Sequence, residues 1–176
     1  MTESKLIACI VEGTAERVII TKLLGAERLI FSKEELLDEE LLRSRNARIF
    51  EERYLRKSFE SKIKVYRILD SKKENFKLSP MYKNKVDVIN VITAPEIEIL
   101  VIIKEGKFDD YCKHKSRLKP SEYCSQKLKI SNVKSKSFLD GYFSDIDELV
   151  SVIKEYKSKH KFSKNEICLA DIIKYQ

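Results

Sequence analysis

The sequence has few residues that break, bend or cross-link a chain: 176 residues include four glycines, three prolines and no tryptophan. So little glycine and proline leaves no stretch with the composition of a long flexible linker, and we expect one compact unit. Charged residues make up 36% of the chain, but apolar runs such as residues 86–92 exclude a disordered protein.

Cysteine and histidine are also too sparse for a structural metal site. The four cysteines are scattered without any Cys-x-x-Cys pair, and there are two histidines, so a zinc site is not expected. Unpatterned thiols favour a reducing compartment over a disulfide scaffold. Cys9 lies in an apolar run and is expected to be a small core residue.

Several motifs of nucleotide and hydrolase chemistry are missing. The sequence has no GxxxxGK[ST] phosphate loop and no GxGxxG, so nucleoside triphosphate or dinucleotide binding lacks its usual motif. No GxSxG or Cys–His arrangement indicates a covalent nucleophile. The first apolar run, residues 6–11, is too short for a signal peptide or a membrane span, and we expect a cytoplasmic protein.

Positive charge is in excess and unevenly distributed. The chain has 35 Lys and Arg against 28 Asp and Glu, a net charge of +7. Residues 104–136, here called the basic segment, hold ten Lys and Arg against four Asp and Glu. Such clustering favours contact with DNA or RNA, although a solvated lysine-rich surface is the alternative. The residues expected to contact nucleic acid are Arg48, Arg53, Arg67, Lys113, Lys115, Lys119 and Lys127.

The hydrophobic pattern predicts alternating strands and helices. Predicted strands are residues 6–11, 29–31, 63–69 and 86–92, and predicted helices are 15–24, 33–42, 47–59, 96–104, a short helix from Pro120, 144–159 and 163–175. This order indicates an α/β fold with a mostly parallel four-stranded sheet between helices. We expect an α/β core over residues 1–105 and a helical, basic C-terminal extension over residues 106–176 that packs on it.

Two predicted central strands end in an acidic residue. Glu12 follows the first strand and Asp70 follows the strand at residues 63–69. In a parallel sheet both carboxylates emerge at the carboxyl edge, where ligands bind and where oxygen atoms can converge on Mg²⁺. Each acid taken alone is equally consistent with a turn or a helix cap. Together with Glu98 they favour a metal site.

Three segments resemble a known family. Residues 11–16 (VEGTAE) are similar to the strand-Glu-Gly opening of TOPRIM domains, which occur in topoisomerases, primases and overcoming-lysogenization-defect nucleases. Residues 68–70 (ILD) stand where that family has the Asp-x-Asp that holds Mg²⁺. Residues 95–98 (PEIE) resemble the Pro-x-x-Glu segment of the RloB-like branch, found beside phage-defence genes. The resemblance covers about residues 5–105 and implies a TOPRIM-like, Rossmann-like fold.

The resemblance also implies a site and a reaction. Glu12, Asp70 and Lys72 would be catalytic, and Glu12, Asp70, Glu74 and Glu98 would hold Mg²⁺ or Mn²⁺. The implied function is a small metal-dependent nuclease or phosphoryl-transfer protein, in defence against phage or mobile elements, with a partner protein of the same system possible. The sequence departs from the family at Lys72, which replaces the second aspartate and cannot ligate a metal. The alternative is therefore a degenerate TOPRIM-like module that binds nucleic acid or protein without catalysis.

Overall fold

Three apolar segments form the centre of a parallel sheet. The computed structural model describes residues 6–44, 46–56, 62–71 and 75–174. Within them the strands are β1 (Ile7–Val11), β2 (Ile63–Leu69), β3 (Val86–Ile92) and β4 (Ile167–Cys168), in the spatial order β1-β2-β3-β4 and all parallel. The predicted α/β class and parallel four-stranded sheet are confirmed.

Helices cover the sheet. They are α1 (Thr14–Gly25), α2 (Ala47–Phe50), α3 (Ile99–Lys104), α4 (Phe108–His114), α5 (Pro120–Gln126), α6 (Lys136–Tyr142) and α7 (Ile146–Lys159). A π-helical turn over Glu51–Leu55 continues α2, and short 3-10 turns occur at Leu37–Glu39 and Leu169–Ile172. Among the described residues, no helix is both long and apolar enough to cross a membrane.

Alternation along the strands divides the core into two clusters. Cys9 and Val11 of β1 pack into the larger cluster with α1, α3 and α7, while Ala8 and Ile10 face a smaller cluster that includes Phe50. The larger cluster contains residues from both β1 and the C-terminal helices. Residues 106–174 therefore share one hydrophobic core with the N-terminal part of the chain.

The helix predicted over residues 33–42 is wrong. The segment instead lies along the free edge of β1, and the N–H of Val11 donates to the carbonyl oxygen of Leu42 at 3.0 Å. Asp38 and Glu39 adopt positive φ angles of 55° and 50°, which interrupt a helix. Covering the unpaired backbone groups of an edge strand outweighs the local helix propensity.

The fourth strand is not the predicted one. In the segment predicted as the strand 29–31, Leu29 makes an isolated antiparallel bridge with Ile173. The helix predicted over residues 163–175 is replaced by β4 and the 3-10 turn that follows it. The C-terminal region therefore contributes a strand as well as helices, because pairing with β3 satisfies backbone groups of β4.

Candidate functional site

The carboxyl ends of β1, β2 and β3 meet at one edge of the sheet. The register pairs Val11 with Ile68 and Leu69 with Ile92, so the residues that follow these strands emerge at the same edge. The buried Thr93 hydroxyl donates to the carbonyl oxygen of Leu69 at 3.0 Å and ties the ends of β2 and β3 together. Glu12 and Asp70 both follow strands at this edge, as predicted.

An acidic cleft of about 520 Å³ opens at this edge. Its charged lining consists of four carboxylates and one ammonium group: Glu16, Asp70, Glu96, Glu98 and Lys134. The first turn of α1 supplies Glu16, the end of β2 supplies Asp70, the turn before α3 supplies Glu96 and Glu98, and the loop before α6 supplies Lys134. Four acids against one base give the cleft a negative charge on a protein whose net charge is positive.

Glu96 is held in a fixed position by neutral and charged donors. Its Oε2 accepts from the backbone N–H of Ser121 at 3.1 Å and from the Ser121 hydroxyl at 2.8 Å, and its Oε1 accepts from Lys134 at 2.8 Å. Burial opposes the charge of Glu96, but these hydrogen bonds outweigh burial and lower the pKa of the carboxyl group. Glu96 is therefore ionised and paired at neutral pH.

The negative charges of Glu98 and Glu16 are balanced less well by their surroundings than that of Glu96. Glu98 is 3% exposed. Burial raises the pKa of its carboxyl group to about 7, and repulsion from Glu96 and Glu16 adds to the rise. Burial likewise raises the pKa of Glu16, with repulsion from Asp70 contributing. A cation bound beside these two carboxyl groups would stabilise their ionised forms and lower their pKa values.

The raised pKa of Glu98 makes stability depend on pH. Its folded-state value of about 7 lies above the ordinary value of 4.5, so the folded protein binds more protons than the unfolded chain between these values. The free energy of unfolding therefore falls as the pH rises from about 4.5 to about 7. We expect Glu98→Gln to leave stability little changed near pH 4.5 and to raise it increasingly up to pH 7. Urea unfolding of both proteins across this range measures the difference, and a constant difference would contradict the burial effect.

Gly13 makes room for the carboxylate of Glu16. A Cβ atom at Gly13, which directly precedes α1, would lie 1.9 Å from Oε2 of Glu16, whereas a Cβ atom at Gly25, the last residue of α1, meets no atom within 4 Å. Gly13→Ala should therefore push the flexible Glu16 side chain out of its buried position and lower the pKa of its carboxyl group. Carbon-13 NMR titration of the Glu side chains measures this pKa, with Gly25→Ala as the matched control. A Glu16 pKa unchanged in Gly13→Ala would show that the close approach does not hold this carboxylate.

Glu12 lies beside a buried arginine. The residue Arg67 is 1% exposed, and its Nη2 lies 3.9 Å from Oε1 of Glu12. Its Nη1 donates to the side-chain oxygen of Asn90 at 3.4 Å, and its guanidinium carbon lies 4.6 Å from the ring centre of Phe76. The guanidinium of Arg67 is thus inside the protein and not accessible to a nucleic acid strand in solvent. Removal of either member of such a buried pair is expected to be destabilising, because the charge of the other member stays buried.

The predicted metal ligands are brought together only in part. Asp70 and Glu98 line the acidic cleft, Glu12 is not among its lining residues, and Lys72 and Glu74 lie outside the described residues. Among the described residues, no group of three or more His, Cys, Asp or Glu side chains is placed to share one metal ion. Lys134 was not predicted as a site residue. It is 38 residues from Glu96 in sequence, and no local pattern in the chain signals their contact.

The predicted nucleic-acid contacts lie on the surface, apart from Arg67. Lys113, Lys115, Lys119 and Lys127 are all exposed on or beside α4 and α5. Arg48 is exposed and pairs with Glu52 at 3.1 Å, and Arg53 lies over the ring of Tyr54.

Comparison of the chain with protein-family models, with curated proteins and with solved structures finds no match. The geometry and charge of the acidic cleft and of the surfaces around it are therefore what indicates a function.

Proposed function

We propose that the chain is a divalent-cation-dependent phosphodiesterase that acts on nucleic acid, with a TOPRIM-like arrangement of acids at the carboxyl edge of the sheet. The observation that supports this most is the acidic cleft itself. Four carboxylates and one ammonium group surround it, while the whole protein carries a net charge of +7. A cleft with uncompensated negative charge attracts a cation, and a positive surface attracts the phosphates of a strand.

The donor atoms of the cleft suit Mg²⁺ or Mn²⁺. Both ions prefer carboxylate oxygen, and Mg²⁺ keeps several waters and needs only one or two carboxylates. A set of three converging acids is therefore not required. Asp70, which is exposed, and Glu98 would hold the ion. When bound, such an ion polarises a phosphoryl oxygen and stabilises the charge that develops on it.

The other residues of the cleft would assist this chemistry. Glu16, whose carboxyl pKa is raised by burial, can exchange a proton with a water molecule or a leaving oxygen. Lys134 holds Glu96 ionised and contributes the one ammonium group of the cleft, which favours the binding of a phosphate. The roles first predicted for Glu12, Lys72 and Glu74 stay predictions.

A second candidate function is binding without catalysis. The ion pair between Lys134 and Glu96, at 2.8 Å, supplies positive charge from the protein itself. In a degenerate site this ammonium group would take the place of a cation, and the chain would bind nucleic acid or a partner protein. Cleavage of labelled DNA and RNA with Mg²⁺, with Mn²⁺ and with a chelator distinguishes the two. Cation-dependent cleavage supports the enzyme, and chelator-insensitive binding without any cleavage supports the binding module.

The lysines of the basic segment should carry much of the affinity for nucleic acid. Reversing Lys113, Lys115, Lys119 and Lys127 to glutamate removes phosphate contacts, and counterion release makes each lost contact reduce the slope of log affinity against log salt by about one. We expect weaker binding of a mixed-sequence duplex and of a single strand, with a slope smaller by up to about four. Fluorescence anisotropy at several salt concentrations measures both.

A matched control reverses four exposed lysines elsewhere, Lys33, Lys83, Lys154 and Lys161. Both variants have the same net charge, −1 in place of +7, because each reversal changes the charge by two. An equal loss of affinity in both variants would show that the overall charge matters and that the basic segment has no special part in binding.

A further inference from the structure

A second cavity shares helix α1 with the acidic cleft. It has a volume of about 300 Å³, and its charged lining is Arg17, Arg43, Arg53 and Glu40. We call it the arginine cavity. Arg17 belongs to α1, Arg43 and Glu40 to the segment that covers the edge of β1, and Arg53 to the π-helical turn. Arg17 directly follows Glu16 of the acidic cleft, so α1 contributes to both sites.

Within the described part of the chain, Glu40 balances only part of the positive charge of this cavity. Arg17 donates to the carbonyl oxygens of Leu41 and Leu42 at 3.1 and 3.4 Å, which are neutral acceptors. Its Nε is buried and has no hydrogen-bond partner among the described residues. None of the ion pairs found within the described part of the chain includes Arg17, Arg43 or Arg53. Burial lowers the pKa of Arg17, and repulsion from Arg43 lowers it further.

The charge and shape of the cavity indicate its ligand. Three guanidinium groups and one carboxylate leave a net charge of +2. A phosphate monoester carries about −1.5 to −2 at pH 7 and presents three acceptor oxygens, whereas a phosphodiester carries one charge. Guanidinium groups bind phosphate through paired, charge-assisted hydrogen bonds. The side chains of Ile49, which is 57% exposed, and Tyr54 give the cavity an apolar wall suited to a sugar or base.

We propose that the arginine cavity binds the terminal phosphate monoester of a nucleic acid strand. The identity of the strand as ligand rests on the proposed function, but the binding of a phosphate monoester does not. The cavity would thus favour strands that carry a terminal phosphate.

Binding of short labelled oligonucleotides of one sequence tests this proposal. They carry a 5′-phosphate, a 3′-phosphate or no terminal phosphate, and a chelator prevents cleavage. We expect the protein to bind one phosphorylated form about tenfold or more tightly than the form with two hydroxyl ends, as two or more charge-assisted hydrogen bonds imply. The double variant Arg43→Gln with Arg53→Gln should lose this preference, and inorganic phosphate should reduce it.

The variant and its control are chosen to keep the fold. Arg43 and Arg53 are exposed, so their replacement should not unfold the protein, and circular dichroism checks this. The double variant Lys33→Gln with Arg56→Gln removes the same two charges from exposed residues outside the cavity and should keep the preference. Equal affinity for all three oligonucleotides, or a preference that persists in the double variant, would overturn the proposal. Preference without cleavage under any condition would instead contradict the phosphodiesterase and leave the arginine cavity standing.

Discussion

Replacement of Arg67 by methionine is expected to lower the free energy of unfolding by about 3 kcal/mol, because it removes one partner of a buried ion pair. The residue Arg67 is 1% exposed, and the side chain of Glu12 is 11% exposed. Glu12 would be left with its charge in a place that water hardly reaches. The expected loss is near the lower end of the range for buried pairs, because Glu12 keeps some exposure and Nη2 lies 3.9 Å from its carboxylate.

A double-mutant cycle separates the interaction energy of the Arg67–Glu12 pair from the energy of packing the Arg67 side chain. If the loss reflects the pair with Glu12, then Arg67→Met combined with Glu12→Leu should be less destabilising than the sum of the two single changes. The exposed pair of Arg48 with Glu52 is the control, and Arg48→Met should cost no more than about 0.5 kcal/mol. Urea unfolding measures the four proteins of the cycle and the Arg48→Met control. Strict additivity would mean that Arg67 stabilises the protein without Glu12.

Asp70→Asn is expected to abolish most of the cation-dependent cleavage. Loss of groups that only orient a metal ligand costs about 10–100-fold in affinity or activity, and loss of a ligand itself should cost at least about 100-fold. Asp70 is exposed, so the same change should leave stability within about 0.5 kcal/mol of the original protein. Single-turnover cleavage rates at saturating Mn²⁺ measure the effect.

Asp87 offers the matched control for Asp70. It lies near the amino end of β3, at the opposite edge of the sheet, and pairs with Lys62 at 3.6 Å. Asp87→Asn removes the same charge and should cleave as fast as the original protein. Equal losses in the two variants would point to a general effect of charge on strand binding, and full activity in Asp70→Asn would remove Asp70 from the site.

The central strands were predictable because apolar residues fill most of their positions: β1 is buried throughout, and β3 begins with a buried Val86 and ends with the buried Val91 and Ile92. Residues 63–69 and 86–92 were predicted with the bounds that β2 and β3 have, and the first strand differs by one residue. The structure of segment 33–42 was not predictable in this way, although the Ser32 N–H donates to the Glu35 carboxylate at 2.8 Å, a contact typical of a helix start. This segment pairs with the edge of β1. Because β1 is distant in sequence, the local hydrophobic pattern of residues 33–42 does not predict this pairing.

Part of the candidate site was predictable from the sequence, and part was not. Acids that follow parallel strands must emerge at one edge, and this places Asp70 and Glu98 in the acidic cleft. The contact of Lys134 with Glu96 depends on how the loop before α6 folds back, which local spacing does not encode. Arg67 was predicted to contact nucleic acid, but it is buried. Its position two residues after the buried Val65 places it on an inward-facing side of β2, and that periodicity carries the signal of its burial.

Calorimetric titration of the protein with Mn²⁺ near pH 7 is the most direct test for a cation site in the acidic cleft. The acidic cleft should bind the ion with a millimolar or lower dissociation constant, and Asp70→Asn should remove this binding while Asp87→Asn keeps it. Because the pKa of Glu98 is about 7, binding should also release a fraction of a proton, seen as a heat that changes with the ionisation enthalpy of the buffer. Absence of any binding, or binding that persists unchanged in Asp70→Asn, would contradict a cation site in the acidic cleft.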